Sequence, residues 1–333
     1  MTGANKGGIL LAGIFFTLAL ALPSFADGRF QREFGLVRSG ESLSFVWASD
    51  LHYRSRILYN YGVTPAGLRA IVRETDRSGA DFLALTGDLV HGFDPADRLT
   101  GDLGEIRSIL AECSAPALVL MGNHDDGSYY LKGGRRGSML TEKDFFGALG
   151  MPQYGRGYYF ADFPRSRIRV ICLNSSDTPR QALPDGSYEH YPIDYYAFGQ
   201  EQLRWLALEA LRLEKGWAAV ILTHVDTSHV SPTAEQSGFD TACAILDAFR
   251  AGSRVSLGEG PEADFGDYPS RELIGVFAGH IHKKQIKTVR GVAHIIQGCA
   301  FGRYPDFTGV TINRSERRIL LTDSAGNTDT VNF

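Results

Sequence analysis

The chain has 333 residues, 44% of them hydrophobic, 11% aromatic and 22% charged, with a formal charge of −4. These are ordinary globular values, enough for one large domain or two small ones. The mild acidity offers no electrostatic basis for a nucleic-acid polymer as the main partner.

Residues 1–26 stand apart. Lys6 precedes an apolar stretch from Ile9 to Leu22, relieved only by Gly13 and Thr17, and Pro23 and Ser24-Phe25-Ala26 follow. Small residues at Ser24 and Ala26 suit a signal peptidase, so the segment reads as a secretory leader cleaved before Asp27. The mature chain is then a single domain, 27–333, exported to the periplasm or the extracellular space, with no transmembrane segment. An uncleaved anchor is the alternative, but the stretch is shorter than the roughly 20 residues a span needs. Lys6 is the leader's only charge, so cleavage takes the formal charge to −5.

After a short polar lead-in, SLSFVWASD (42–50) reads as a buried strand ending in Asp50. Thr64-Pro65 supplies an N-cap and a first-turn proline. Leu68, Ile71, Val72 and Thr75 share one helical face, and Gly79 closes that helix. DFLALTGD (81–88) is a second strand, a helical segment follows around 102–113, and ALVLM (117–121) is a third strand. Alternating strand and helix with buried strands is the pattern of parallel βαβ units. The C-terminal ends of such strands line one edge, where open α/β sheets bind ligands.

The second half repeats the habit. RIRVICLNSSD (167–177) is a strand with an exposed polar exit, and 198–216 reads as an amphipathic surface helix closed by Gly216. AAVILTH (218–224) and ELIGVFAGHIH (272–282) are further strands. HIIQGCA, TGVTINR and RRILLTD suggest antiparallel strands closing the C-terminal end. Cys113, Cys172, Cys243 and Cys299 show no CxxC spacing, which argues against a zinc knuckle. In an oxidising compartment they could pair, or Cys172 and Cys299 could be buried thiols.

The strand ends collect Asp50, His52, Asp88, Asn123, His124, His224, His280 and His282. Each alone reads as a turn residue or a hydrogen-bonded bystander. Together they would be costly to bury without cations. Alternate residues of an extended segment point the same way, so Asp50 with His52, and His280 with His282, can each present two groups to one pocket. Nitrogen and oxygen donors without thiolate suit zinc, manganese or iron better than a structural zinc knot or a calcium cage. Seven candidate ligands are too many for one tetrahedral ion and about right for two ions sharing a carboxylate, an arrangement suited to displacement at phosphorus.

Asp50-x-His52, Gly87-Asp88, Gly122-Asn123-His124-Asp125, His224 and Gly279-His280-x-His282 resemble the full signature of the calcineurin-like metallophosphoesterases. The resemblance runs from about Ser44 to His282 and more loosely beyond. It implies a four-layer α/β/β/α sandwich with a dinuclear site at the C-terminal ends of the strands. By matching position, Asp50, His52 and His282 would hold one metal and Asn123, His224 and His280 the other, with Asp88 bridging. Attack by a metal-bridging hydroxide would be assisted by His124 as general acid, oriented by Asp125. The implied substrate is a small phosphorylated molecule such as a nucleotide or another phosphoester. Purple acid phosphatases in this superfamily carry a Tyr ligand shortly after the second-block Asp and lack the first-block His. Here Leu89, Val90, His91 and Gly92 follow Asp88, and His52 is present, so that subtype is not implied.

Other residues stand near these blocks. Lys132, Arg135 and Arg136 in GSYYLKGGRRGS (127–138) could meet an anionic substrate, with Tyr129 or Tyr130 for stacking; a solvated basic loop explains them as well. The Tyr-rich SYEHYPIDYYAF (187–198) could form a rim for a base or sugar, or simply pack a long loop. His91, His190, His229 and His294 fall outside the signature, with His91 and His229 close enough in sequence to support ligands. A non-catalytic interaction module of the same fold is the competing function, and hydrolysis of a carboxylic ester or amide a third.

Overall fold

The computed structural model describes residues 28–36, 41–53, 62–258, 262–300 and 305–333. The leader and its cleavage site lie outside those residues. No helix among the described residues is long and apolar enough to cross a membrane.

Two six-stranded mixed sheets form the centre. The first runs, in spatial order, Thr328–Asn332, Arg318–Asp323, Thr308–Asn313, Leu43–Ala48, Phe82–Thr86 and Ala117–Leu120. Its last three strands are parallel, as the βαβ reading expects, and the others antiparallel. The second runs Gln285–Val289, Val292–Ile296, Glu272–Ala278, Ala218–Leu222, Ile168–Cys172 and Tyr159–Phe163. Its four middle strands are parallel, with an antiparallel strand at each edge.

One apolar cluster joins Phe45, Trp47 and Phe82 of the first sheet to Val220, Ile274 and Phe277 of the second. The Phe277 ring meets those of Phe45 and Trp47 edge-on at 5.6 and 5.3 Å. The same cluster reaches through the first sheet to Ile71 on helix Pro65–Ser78 and Ile106 on helix Ala96–Leu110. A second cluster covers the far face of the second sheet with Leu203, Phe239 and Phe249 on helices Gln200–Trp205 and Phe239–Ala251. The layers are helix, sheet, sheet, helix, the expected sandwich.

Local chemistry explains where sequence reading succeeds. Thr64 accepts a hydrogen bond from the Gly67 N–H at 3.2 Å, Pro65 opens the helix, and Gly79 ends it at φ 61°. Elsewhere the structure differs. The helix expected around 102–113 begins at Ala96, after Pro95, because Leu99 already belongs to its buried stripe. The helix expected over 198–216 is Gln200–Trp205 followed by a π-helical turn, Leu206–Ala210. The chain then leaves the helix to bury Leu211 and Leu213. The lead-in contains a helix, Arg29–Leu36, whose Phe30 and Phe34 share a face and are buried. Val292–Ile296 lies parallel, not antiparallel, to Glu272–Ala278. The polar exit at Asn174–Ser176 is buried rather than exposed. Gln202 makes this possible by accepting from the Asn174 N–H at 2.8 Å and donating to its carbonyl at 2.9 Å.

Candidate metal centre

Five parallel strands, ending at Ala48, Thr86, Leu120, Leu222 and Ala278, deliver their following residues to one edge. Backbone bonds knit these exits together: Asp50 N–H to Gly87 O at 3.1 Å, His52 N–H to Asp88 O at 2.9 Å and Gly279 N–H to His224 O at 2.9 Å. The exits are tight. A Cβ at Gly122 would fall on the Asp88 carboxylate, and one at Gly279 on Ser49 and the Asp50 carboxylate. Glycine is required there so that backbone can approach the cluster.

Asp50, His52, Asp88, His280 and His282 all adopt left-handed backbone, with φ of 53°, 43°, 51°, 74° and 56°. This corrects the extended-segment expectation: each Asp-x-His or His-x-His pair is brought together by two left-handed residues. Asp and His tolerate that region better than most side chains, but each instance costs on the order of 1–3 kcal/mol. Strain of this kind concentrates where function demands a geometry.

All seven sequence-predicted ligands converge. Asp50, His52, Asp88 and His282 offer donor atoms within 4.8 Å of one another. His52 and His282 face each other Nε2 to Nε2 at 3.0 Å, and His282 Nε2 lies 3.2 Å from Asp50 Oδ1. Beside them, Asn123 Oδ1 lies 2.9 Å from His224 Nε2 and 3.1 Å from His280 Nδ1. Asp88 Oδ2 sits between the two groups, 3.8 Å from His52 Nε2 and 3.3 Å from His224 Nε2. Except for His280 and His282, these side chains are buried.

The protonation states fit a cation. His224 Nδ1 faces the Thr86 carbonyl at 2.8 Å, which can only accept, so Nδ1 carries a proton and Nε2 is the nitrogen turned to Asn123 and Asp88. Burial keeps His52 and His280 well below the usual imidazole range, leaving neutral rings with lone pairs to donate. Burial also opposes charge on Asp88, but the imidazoles of His224, His124 and His52 outweigh it and hold the carboxyl well below its usual range. Burial opposes charge on His224 too; Asp88 and Asp50 push it up to about 9, so without a metal its Nε2 holds a proton that a bound cation would displace. The oxygens thus demand a positive charge where the nitrogens converge, and a metal ion supplies one.

His124 lies outside the seven predicted ligands, although it, His91 and His52 offer ring nitrogens within 4.8 Å of one another. Its N–H donates to Asp88 Oδ1 at 2.9 Å, and its ring Nδ1 faces the His91 carbonyl at 2.9 Å. The expected orientation by Asp125 is therefore corrected. The Asp125 carboxylate, fully buried, accepts instead from the Val90 N–H at 2.8 Å and the Gly122 N–H at 2.7 Å. It fastens the turn bearing Asn123 and His124 to the loop bearing Asp88. A carboxylate so committed has no oxygen directed to the imidazole of its neighbour.

His91, outside the signature, lies with Nδ1 3.2 Å from His52 Nδ1 and orients that ring. The His229 and Tyr196 rings flank His280 at 5.3 and 4.9 Å. His294 binds Asp226 at 2.5 Å, and His190 stacks on Tyr195 at 3.9 Å. Lys132 pairs with Asp194, Arg135 lies over the Tyr130 ring at 5.0 Å, and Arg136 is exposed. Phe93 escaped sequence reading: nothing in HGFD distinguishes a ring beside the cluster from one in a core. Cys113, Cys172 and Cys243 are free thiols, so the disulfide alternative falls. Burial pushes the Cys172 thiol up to about 12.

A family model described as calcineurin-like phosphoesterase matches residues 43–284, well over half of the chain and every block of the cluster. The chain belongs to the calcineurin-like phosphoesterase family. A probable cyclic nucleotide phosphodiesterase from Rhodopseudomonas palustris is 36% identical over 94 residues, 27% of this chain and 32% of that protein. The match thus spans about a third of that relative's length. A dimetal phosphatase from Danio rerio has the same fold, with a TM-score of 0.61 at 15% identity, covering 87% of this chain and 99% of that one. Calcineurin-like phosphoesterase membership accounts for the two facing sheets and the His/Asp cluster able to bind metal.

Proposed function

We propose that this calcineurin-like phosphoesterase is an exported enzyme that hydrolyses phosphate mono- or diesters using two transition-metal ions, manganese, iron or zinc. Asp50, His52 and His282 would hold one ion and Asn123, His224 and His280 the other, with Asp88 available to both. The position of Asp88 carries the reading, since its Oδ2 lies within 3.8 Å of a nitrogen from each group. When bound, the ions would neutralise the phosphoryl oxygens and lower the pKa of a coordinated water.

The chain's own residues do the rest. His124 keeps its Nδ1 proton on the His91 carbonyl, so protonated Nε2 is the nitrogen that delivers a proton to the leaving oxygen. His91 fixes the His52 ring, and Asp125 holds the two loops in register. The substrate proposed is a nucleotide or cyclic nucleotide, supported by the name of the Rhodopseudomonas palustris relative. Bis-p-nitrophenyl phosphate, p-nitrophenyl phosphate, nucleotides and cyclic nucleotides, assayed on protein of known metal content, test this. Turnover of a phosphoester by metal-loaded protein is expected; turnover only of carboxylic esters or amides would overturn it. Export rests on residues 1–26. The mature N-terminus should be Asp27, whereas an intact Met1 end on membrane-bound protein would contradict export.

A further inference from the structure

The metal cluster has two unlike aromatic flanks. Beside His280 stand Tyr196, which is buried, and His229. Beside His124 lies the Tyr129 ring, 5.7 Å away and only 20° from parallel. Phe93 meets Tyr129 edge-on at 4.3 Å and His91 at 4.1 Å, so the three rings form a wall rising from the acid.

Tyr129 is 41% exposed, yet it is firmly mounted. Asp126 Oδ1 accepts from the Ser128 N–H at 2.8 Å, and Ser128 Oγ accepts from the Ile193 N–H at 3.1 Å. Lys132, on the same short helix, pairs with Asp194. The adjacent Tyr130 lies under the Arg135 guanidinium and is occupied. The Tyr129 hydroxyl has no hydrogen-bond partner among the described residues. Packing explains Tyr130 and Tyr196; it leaves Tyr129 41% exposed, next to the group that would protonate the leaving oxygen.

We propose that Tyr129, backed by Phe93, is a stacking shelf for the base of a nucleoside leaving group, an inference that rests on the phosphoesterase reading above. The acid fixes the direction. A proton delivered from His124 puts the leaving group on the His124 side of the cluster, where the shelf stands. The shelf offers a π-face and a single hydroxyl, so it accepts any base and discriminates weakly among them.

The test compares substrates with and without the base: a nucleoside 5′-monophosphate against ribose 5-phosphate, and a cyclic nucleotide against its abasic counterpart. The ratio of kcat/KM with base to that without is measured for wild type, Tyr129→Ala and Tyr129→Phe. Stacking of a base on an aromatic is worth about 5- to 150-fold by alanine substitution. The ratio should fall by that factor in Tyr129→Ala, mainly through KM, and hold in Tyr129→Phe. A ratio near one in wild type, or an undiminished ratio in Tyr129→Ala, overturns the shelf while leaving the phosphoesterase reading intact. Metal-loaded wild type that hydrolyses no phosphoester, p-nitrophenyl esters included, overturns both.

Discussion

Asp125→Ala separates a structural carboxylate from a catalytic one. The side chain is fully buried and accepts from Val90 N–H and Gly122 N–H at 2.8 and 2.7 Å. Removing it orphans two buried backbone donors, each costing about 1–3 kcal/mol, so the variant should lose about 2–6 kcal/mol of stability. Asp125→Asn should lose less, since the amide oxygen still accepts from one of the two N–H groups, while its NH₂ leaves the other unpaired. Urea unfolding of the metal-free proteins reads this as a fall in midpoint at unchanged slope. Because the clamp ties the loop of Asp88 to that of Asn123, metal affinity should weaken in the same order. A wild-type midpoint in Asp125→Ala, with a loss confined to poor leaving groups, would refute the clamp. Asp125 would then orient the acid after all.

For His124→Ala, both metals should stay bound while rates on alkyl or sugar phosphates fall about 10²–10⁴-fold, and far less on p-nitrophenyl esters. Loss of metal, or equal slowing of both substrates, would remove His124 as the acid. His91→Ala takes the partner from His52 Nδ1 and should cost about 10–100-fold in metal affinity or rate. Asp88→Asn should do much worse, and equal losses at the two positions would mean that Asp88 is not shared. Burial opposes charge on Asp226, but His294 and Lys287 outweigh it and hold the carboxyl far below its usual range. A depressed carboxyl stabilises the fold above the unfolded value of about 3.9 and loses that contribution as pH falls below it. Asp226→Asn should therefore flatten the acid limb of the stability profile; an unchanged limb would show that the pair contributes nothing.

The convergence of the seven predicted residues was legible because chemistry and topology agree. Asp50, Asp88, Asn123, His224 and His280 each follow a strand of the two sheets, and few folds place that many carboxylates, amides and imidazoles at one edge by chance. The Thr64-Pro65 start and Gly79 stop were legible because caps are local. What escaped was set by tertiary contacts. The role of Asp125 depends on two N–H groups, one of them 35 residues away, and the buried Asn174 exit depends on Gln202, 28 residues on. The left-handed backbone at five residues of the cluster escaped because Asp-x-His reads equally well as extended chain. Phe93 and Tyr129 gain meaning only from His124 between the two loops.

Metal stoichiometry measured together with activity on one preparation tests the two-metal centre most directly. Elemental analysis of the active protein should find close to two transition-metal ions per chain. Exhaustive chelation should abolish phosphoester hydrolysis, and adding manganese, iron or zinc back should restore both metal and rate. Full activity in protein from which no metal can be detected would contradict the account at its centre.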